Sequence, residues 1–222
     1  MLKDKLASFI GRNNYVNHIM FITKLYHSFR TFRHPAIPVI RKHLIPCGGT
    51  VLDIGANIGK FTATAAAAVG RSGRVYSFEP VPFVLRVLRA MVRLRFFSQV
   101  TVISAALADK NGFANICIPL KDGWKPLVPI AHLGGDGEKS TLNLTIETRR
   151  LDDFCDAEKI RHIDFIKCDT EGAEYSVFSG ALKTLARDLP AVMCEIYHDY
   201  LERQKAKPSD VFGIFKTLGW NS

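Results

Sequence analysis

The fold class that this chain predicts is α/β: a doubly wound, mainly parallel sheet with helices on both faces and a small antiparallel insertion. Three observations carry it. Short apolar strand candidates alternate with helical patterns over residues 51–107 and again over 163–196, and such alternation implies parallel strands joined by right-handed crossovers. Two of these strands run directly into a helix signal, one at Gly55 and one at Glu79. The chain has 222 residues, 47% hydrophobic and 23% charged, which is enough for one full core.

The elements follow in order. Residues 1–46 read as a separate basic, aromatic-rich helical segment, because residues 1–50 hold eight Lys or Arg against one Asp, +7 of the chain's net +9. Phe9, Tyr15, Phe21, Tyr26, Phe29 and Phe32 lie among these bases. One or two amphipathic helices beside the sheet, with a solvated basic face, account for the mixture. Weak contact with an anionic surface, contact with nucleic acid, and a lid over the substrate mouth stay open. The main domain is expected over 47–222.

Within it, the reading is strand 51–55, helix 59–69, strand 74–79, helix 82–97 and strand 100–107. Arg86, Arg89 and Arg93 recur at helical spacing in 82–97 and read as the solvated outside of a helix covering the sheet, so they give no strong nucleic-acid signal. Residues 112–149 break the alternation. Segments 112–119 and 140–149 look like paired strands joined by a Gly- and Pro-rich loop, with Trp124, His132 and the glycines around Asp136 as candidate lid residues. Asn143-Leu144-Thr145 matches a glycosylation acceptor but reads more simply as part of a strand. Strand 163–169, a helix after Thr170, and strand 191–196 complete the pattern.

Five cysteines, at 47, 117, 155, 168 and 194, show no C-x-x-C spacing, so neither a zinc site nor a disulfide framework is indicated. A reducing cytoplasm is the expected location. No signal-peptide core is visible, and the longest uncharged apolar run, 61–69, is too short to span a bilayer.

Chemistry concentrates at the strand ends. Asp53-Ile54-Gly55-Ala56-Asn57-Ile58-Gly59 places a carboxylate and two glycines at a strand-to-helix turn, where glycine permits a sharp turn and close backbone approach to a ligand. A dinucleotide fingerprint from Gly55 would need glycines at 57 and 60, where Asn57 and Lys60 stand. A Walker A loop fails on spacing and on Phe61 after Lys60. A carboxylate at that turn repels a pyrophosphate and favours an ammonium or sulfonium. S-adenosylmethionine carries both cations and no phosphate.

Glu79 follows Gly55 by 24 residues, about where a nucleotide-binding unit places the acid that holds the ribose hydroxyls. An acid merely preceding a helix is the alternative. Pro80, Val81 and Pro82 then supply apolar surface for an adenine face. A third motif, Ile163-Asp164-Phe165-Ile166-Lys167-Cys168-Asp169-Thr170-Glu171-Gly172-Ala173-Glu174, leaves three acids near the sheet's carboxyl edge. Thr170 as helix cap, with Glu171 and Glu174 complementing the dipole, explains two of them. Asp169 is expected to end its strand beside the Asp53 strand. Cys168 and Cys194 read as buried, inert thiols.

Together the Asp53 loop, Phe78-Glu79-Pro80 and the 163–174 motif resemble the FkbM-type S-adenosylmethionine-dependent methyltransferases, over roughly residues 47–218. The resemblance implies a Rossmann-like sheet, S-adenosylmethionine as donor, and methylation of a hydroxyl on a small molecule or glycan. It implies adenine contacts from Ala106 and Leu107. The expected cofactor contacts are then Asp53, Gly55, Ala56, Asn57, Gly59, Glu79, Pro80, Ala106, Leu107 and Asp169. Asp169, Glu171 and His198 are the candidate catalytic groups, His198 as a base titrating near neutrality. Asp169, Glu171 and Glu195 offer hard oxygen ligands, but no spacing rule selects a metal site. Such enzymes finish with two further strands, so the C-terminal edge of this sheet is expected to look truncated. An RNA or protein methyltransferase, and a non-catalytic binding or membrane-surface protein on a degenerate methyltransferase fold, are the alternatives.

Overall fold

The computed structural model describes residues 37–121, 125–126, 132–133 and 141–220, with Phe21, Leu25 and Pro35 besides. Helix α1 (Ile37–Val39) passes into a π-helical turn, Ile40–Leu44. Then come β1 (Thr50–Ile54), α2 (Lys60–Val69), β2 (Arg74–Phe78), α3 (Pro82–Leu94), β3 (Val100–Ile103) and β4 (Ala106–Leu107). The insertion holds β5 (Gly112–Lys121), β6 (Lys125–Pro126), β7 (His132–Leu133) and β8 (Thr141–Arg149). Helix α4 (Leu151–Ala157), β9 (Phe165–Cys168), α5 (Glu174–Ser179), α6 (Leu182–Asp188), β10 (Ala191–Cys194), α7 (His198–Arg203) and α8 (Pro208–Thr217) follow.

Five strands form one parallel sheet in the order β10-β9-β1-β2-β3. The chain winds outward from β1 to β3, then returns to lay β9 and β10 on the other side of β1. The winding therefore reverses between β1 and β9, and in doubly wound sheets ligands bind outside the carboxyl ends of the strands at such a reversal. This is the predicted Rossmann-like class. Among the described residues β10 is an edge strand, and no helix is long and apolar enough to cross a membrane.

Strand alternation decides which side chains meet which layer. Leu52 and Ile54 of β1 join Ile166 and Cys168 of β9 in a core with Phe154, Phe178 and Leu185, under α4, α5 and α6. Val51 and Phe165 face the other way, against Phe61, Ala65 and Val69 of α2. Asp53 shares the parity of Val51, and Lys167 that of Phe165. In the sheet register Ser77, Asp53 and Lys167 stand side by side on β2, β1 and β9, a fully or nearly buried polar row beneath α2.

The predicted strand 100–107 is two strands. β3 belongs to the parallel sheet, whereas β4 pairs with β8 in a second sheet, Ala106 opposite Thr148 and Leu107 opposite Arg149. An eight-residue strand here would outrun its neighbours and leave backbone groups unpaired, and β8 supplies those partners instead. The insertion is antiparallel as expected, with β5 and β8 in register from Gly112↔Thr148 to Pro119↔Thr141. Residues 143–145 lie within β8. Helix α3 stops at Leu94, short of residue 97, where Phe96 adopts a left-handed backbone, φ 54°. Arg86, Arg89 and Arg93 are exposed.

Most of the segment 1–46 lies outside the described residues, as do Trp124 and the glycines around Asp136. Phe21 and Leu25 are helical. The Arg86 guanidinium stands 5.6 Å from the Phe21 ring centroid, and Leu25 packs against Ala56, Leu88 and Met91. His132 is the first residue of β7, which pairs with β5.

Candidate active site

At the end of β1, Gly55 turns with φ 74°, and a Cβ there would lie 1.9 Å from the Asp169 carbonyl oxygen. Only glycine lets the two strand ends approach so closely. Asn57, φ 50°, continues the turn, its own Oδ1 accepting from the Ile58 amide at 2.8 Å. The loop then closes on Glu79. The Asn57 amide donates to Glu79 Oε2 at 2.9 Å and the Val81 amide to Oε1 at 2.9 Å. One carboxylate thus fixes both the glycine loop and the start of α3.

A cleft of about 210 Å³ lies along these strand ends. Gly55 and Asn57 form its base. Glu79, Pro80 and Val81 after β2, Ala106 and Leu107 of β4, and Asp169, Thr170 and Glu171 after β9 line it as well. Ile116 and Ile146 of the β5–β8 hairpin also line it, buried with Val81 and Val84 in a small apolar cluster. Sequence reasoning missed both isoleucines, since only the pairing of the two strands brings them against Val81 and Val84.

Of the predicted cofactor contacts, the structure brings Gly55, Asn57, Glu79, Pro80, Ala106, Leu107 and Asp169 to this cleft, together with Glu171. Three others sit elsewhere. Asp53 has no exposed surface and points beneath α2, where Thr62 Oγ1 donates to its Oδ2 at 2.6 Å and Lys167 Nζ stands 3.6 Å from its Oδ1. Burial pushes the Asp53 carboxyl up, while Lys167 and Thr62 pull it back. The premise of a bare carboxylate facing a cation is therefore corrected, because the protein's own ammonium already occupies that position. Ala56 is buried with Leu88 and Met91 under the loop. Gly59 is the left-handed residue before α2, and a Cβ there would strike Met91 and Leu88.

His198 is corrected too. It begins α7 with its side chain 60% exposed, beside Asp199 and Glu202 of the same helix, and does not line the cleft. Thr170 does not cap α5, whose preceding residue is Ala173. The roles are reversed: Glu174 Oε1 accepts from the Thr170 amide and hydroxyl and from the Gly172 amide, at 2.9 to 3.2 Å. That carboxylate shapes the turn carrying Glu171, which is left-handed at φ 56°. Burial pushes the Cys168 thiol well up, which fits an inert group. Among the described residues no cluster of three or more His, Cys, Asp or Glu side chains is arranged to hold a metal ion.

Two cleft carboxyls are perturbed. Burial pushes Glu79 up to about 7 against the pull of the Val81 and Asn57 amides. Burial, then the charges of Asp169, Glu195 and Glu174, push Glu171 up to about 7 as well. A raised carboxyl binds its proton more tightly in the folded state, so its stabilising effect is complete below its ordinary value of 4.5 and is lost as pH rises through about 7. The ligand-free protein should therefore lose melting temperature by a few degrees between pH 5 and 8. Glu79→Gln should flatten that slope, and parallel melting curves for the two proteins across this range would remove Glu79 as its source.

A family model described as "Methyltransferase FkbM domain" matches residues 53–219. The chain is 30% identical over 155 residues to the 2-O-methyltransferase NoeI of Sinorhizobium fredii (strain NBRC 101917 / NGR234), a match covering 62% of this chain and 59% of that protein. It is 26% identical over 197 residues to the AMB antimetabolite synthetase AmbE of Pseudomonas aeruginosa, covering 75% of this chain and 9% of the other. The solved methyltransferase FkbM from Methylobacillus flagellatus KT is similar at 19% identity and TM-score 0.48, over 93% of this chain and 54% of that one. Thus the chain spans just over half the length of NoeI and a small part of AmbE.

Proposed function

Because this chain belongs to the FkbM family of S-adenosylmethionine-dependent methyltransferases, we propose that it moves the donor's methyl group onto a hydroxyl oxygen of a small molecule or sugar. The observation that carries the reading is the cleft at the β1/β9 reversal, lined by the backbone-anchored acid Glu79 and by the carboxylates of Asp169 and Glu171. The 2-O-methyl chemistry named for NoeI supports oxygen as the acceptor atom.

The residues fit the donor's three parts. Glu79 accepts the ribose hydroxyls with the lone pairs that Asn57 and Val81 leave free. Pro80, Val81, Leu107, Ile116 and Ile146 give the nucleobase an apolar slot. Gly55 and Asp169 take the amino-acid end, where oxygen atoms suit an ammonium. When bound, the donor supplies a methyl already activated by its sulfonium. The protein's tasks are then to align the acceptor oxygen, exclude water and take up the hydroxyl proton. Glu171 is the base in this reading, since it lines the cleft and titrates near neutrality. Asp169 accepts a hydrogen bond from the acceptor.

Calorimetry with S-adenosylhomocysteine should give one site per chain. Donor labelled in the methyl group should place label in an alkali-stable ether on a hydroxylated acceptor. No binding of the demethylated donor to folded protein would overturn the proposal, and label arriving in RNA or protein would overturn its acceptor class. Glu171→Gln should lower kcat about 100-fold, within the usual range for a general base, with the donor's Kd nearly unchanged. Equal losses in both would remove Glu171 from that role.

A further inference from the structure

We propose that Lys167 is a positioning residue for the donor's amino-acid end, acting through the Gly55 carbonyl and the Asp169 carboxylate. The inference rests on the methyltransferase reading above. Lys167 sits in the middle of a strand whose four residues are all buried. Its ammonium donates to the Gly55 carbonyl oxygen at 3.0 Å, stands 3.2 Å from Asp169 Oδ2, and lies 3.6 Å from Asp53 Oδ1.

Neutralising Asp53 alone would need only the last of these contacts. The other two reach Gly55 and Asp169, which lie against each other where β1 and β9 end, one on each strand end. Gly55 and Asp169 both line the cleft, and Gly55 has no side chain with which to hold its own turn. A buried cation joining them fixes their separation. Asp169 is only one-third exposed on its side chain, so the ion pair also settles which carboxylate oxygen is left for a ligand. Burial pulls the Lys167 ammonium toward neutrality, but the facing Asp53 and Asp169 charges outweigh it and hold it protonated. Sequence reading assigned Lys167 no role, although a lysine inside the apolar run Phe165-Ile166-Lys167-Cys168 is itself a signal, because charges are rarely buried unpaired.

Lys167→Met alone strands the Asp53 carboxylate and tests folding more than positioning. The informative comparison is Asp53→Asn against Asp53→Asn/Lys167→Met, in which no buried charge is left without its partner beneath α2. Two probes separate positioning from general damage: S-adenosylhomocysteine, which has the amino-acid end, and 5′-methylthioadenosine, which lacks it. The double variant should melt close to Asp53→Asn, bind S-adenosylhomocysteine about 10-fold or more weakly, as expected for lost charge-assisted contacts, and bind methylthioadenosine within about twofold. Equal weakening of both probes, or of neither, would overturn the proposal. If the wild-type protein bound neither probe, the methyltransferase reading would fail first, and that outcome is distinct from the other two.

Discussion

Alanine at position 55 is expected to cost the protein more than about 3 kcal/mol of stability, because it combines a clash with a forbidden backbone conformation. The new Cβ would lie 1.9 Å from the Asp169 carbonyl oxygen, a backbone atom that cannot swing aside, and φ is 74°. Relief requires β1 and β9 to separate at their carboxyl ends. That movement would pull the Gly55 carbonyl away from Lys167 and widen the cleft where the donor's amino-acid end is proposed to sit. Differential scanning calorimetry should show a melting temperature lower by about 6 °C or more, with no measurable S-adenosylhomocysteine binding at ordinary titration concentrations. A variant melting within a degree or two of wild type, with unchanged Kd, would show that the two loops are not packed as described.

Glu79→Ala should weaken S-adenosylhomocysteine binding by about 100-fold or more, through two effects that add. It removes the acceptor proposed for the ribose hydroxyls, where a hydrogen bond to a charged group contributes roughly 1.5 to 3 kcal/mol. It also leaves the Asn57 and Val81 amides without the partner that ties the glycine loop to the start of α3. Glu79→Gln separates the two. Its amide oxygen can accept one of these N–H groups, but its NH₂ must then face the other donor, so the loss should be intermediate. If alanine and glutamine behave alike and both bind within threefold of wild type, Glu79 is a structural anchor only.

Much of this was legible from residue order. The β1 and β2 ends announce themselves by glycine or acid followed at once by a helix, and the doubly wound order follows from alternating strand and helix signals. The side-chain direction of Asp53 was not. Central strands of a parallel sheet are apolar on both faces, so Val51, Leu52 and Ile54 carry no period-2 contrast from which the parity of residue 53 could be read. Had the strand been half exposed, Asp53 would have declared its face. His198 misled for a related reason: β10 ends four residues earlier, at Cys194, and the intervening turn carries the imidazole to the outside of α7. Ile116 and Ile146 belong to strands that a pattern search finds readily, but their place over the cleft depends on contacts between distant parts of the chain. The hybrid segment 100–107 failed on the same ground, since partner availability, not local pattern, divides it between sheets.

The row formed by Ser77, Asp53 and Lys167 is shut away from solvent. Mobile ions screen charges they can approach, and this row is sealed under a helix, so dissolved electrolyte leaves its attraction intact. The acids Asp169, Glu171 and Glu195 are different, because they keep water-facing surface. Ionic strength therefore divides the charges of this molecule into an inner set that holds the backbone in shape and an outer set that senses the medium.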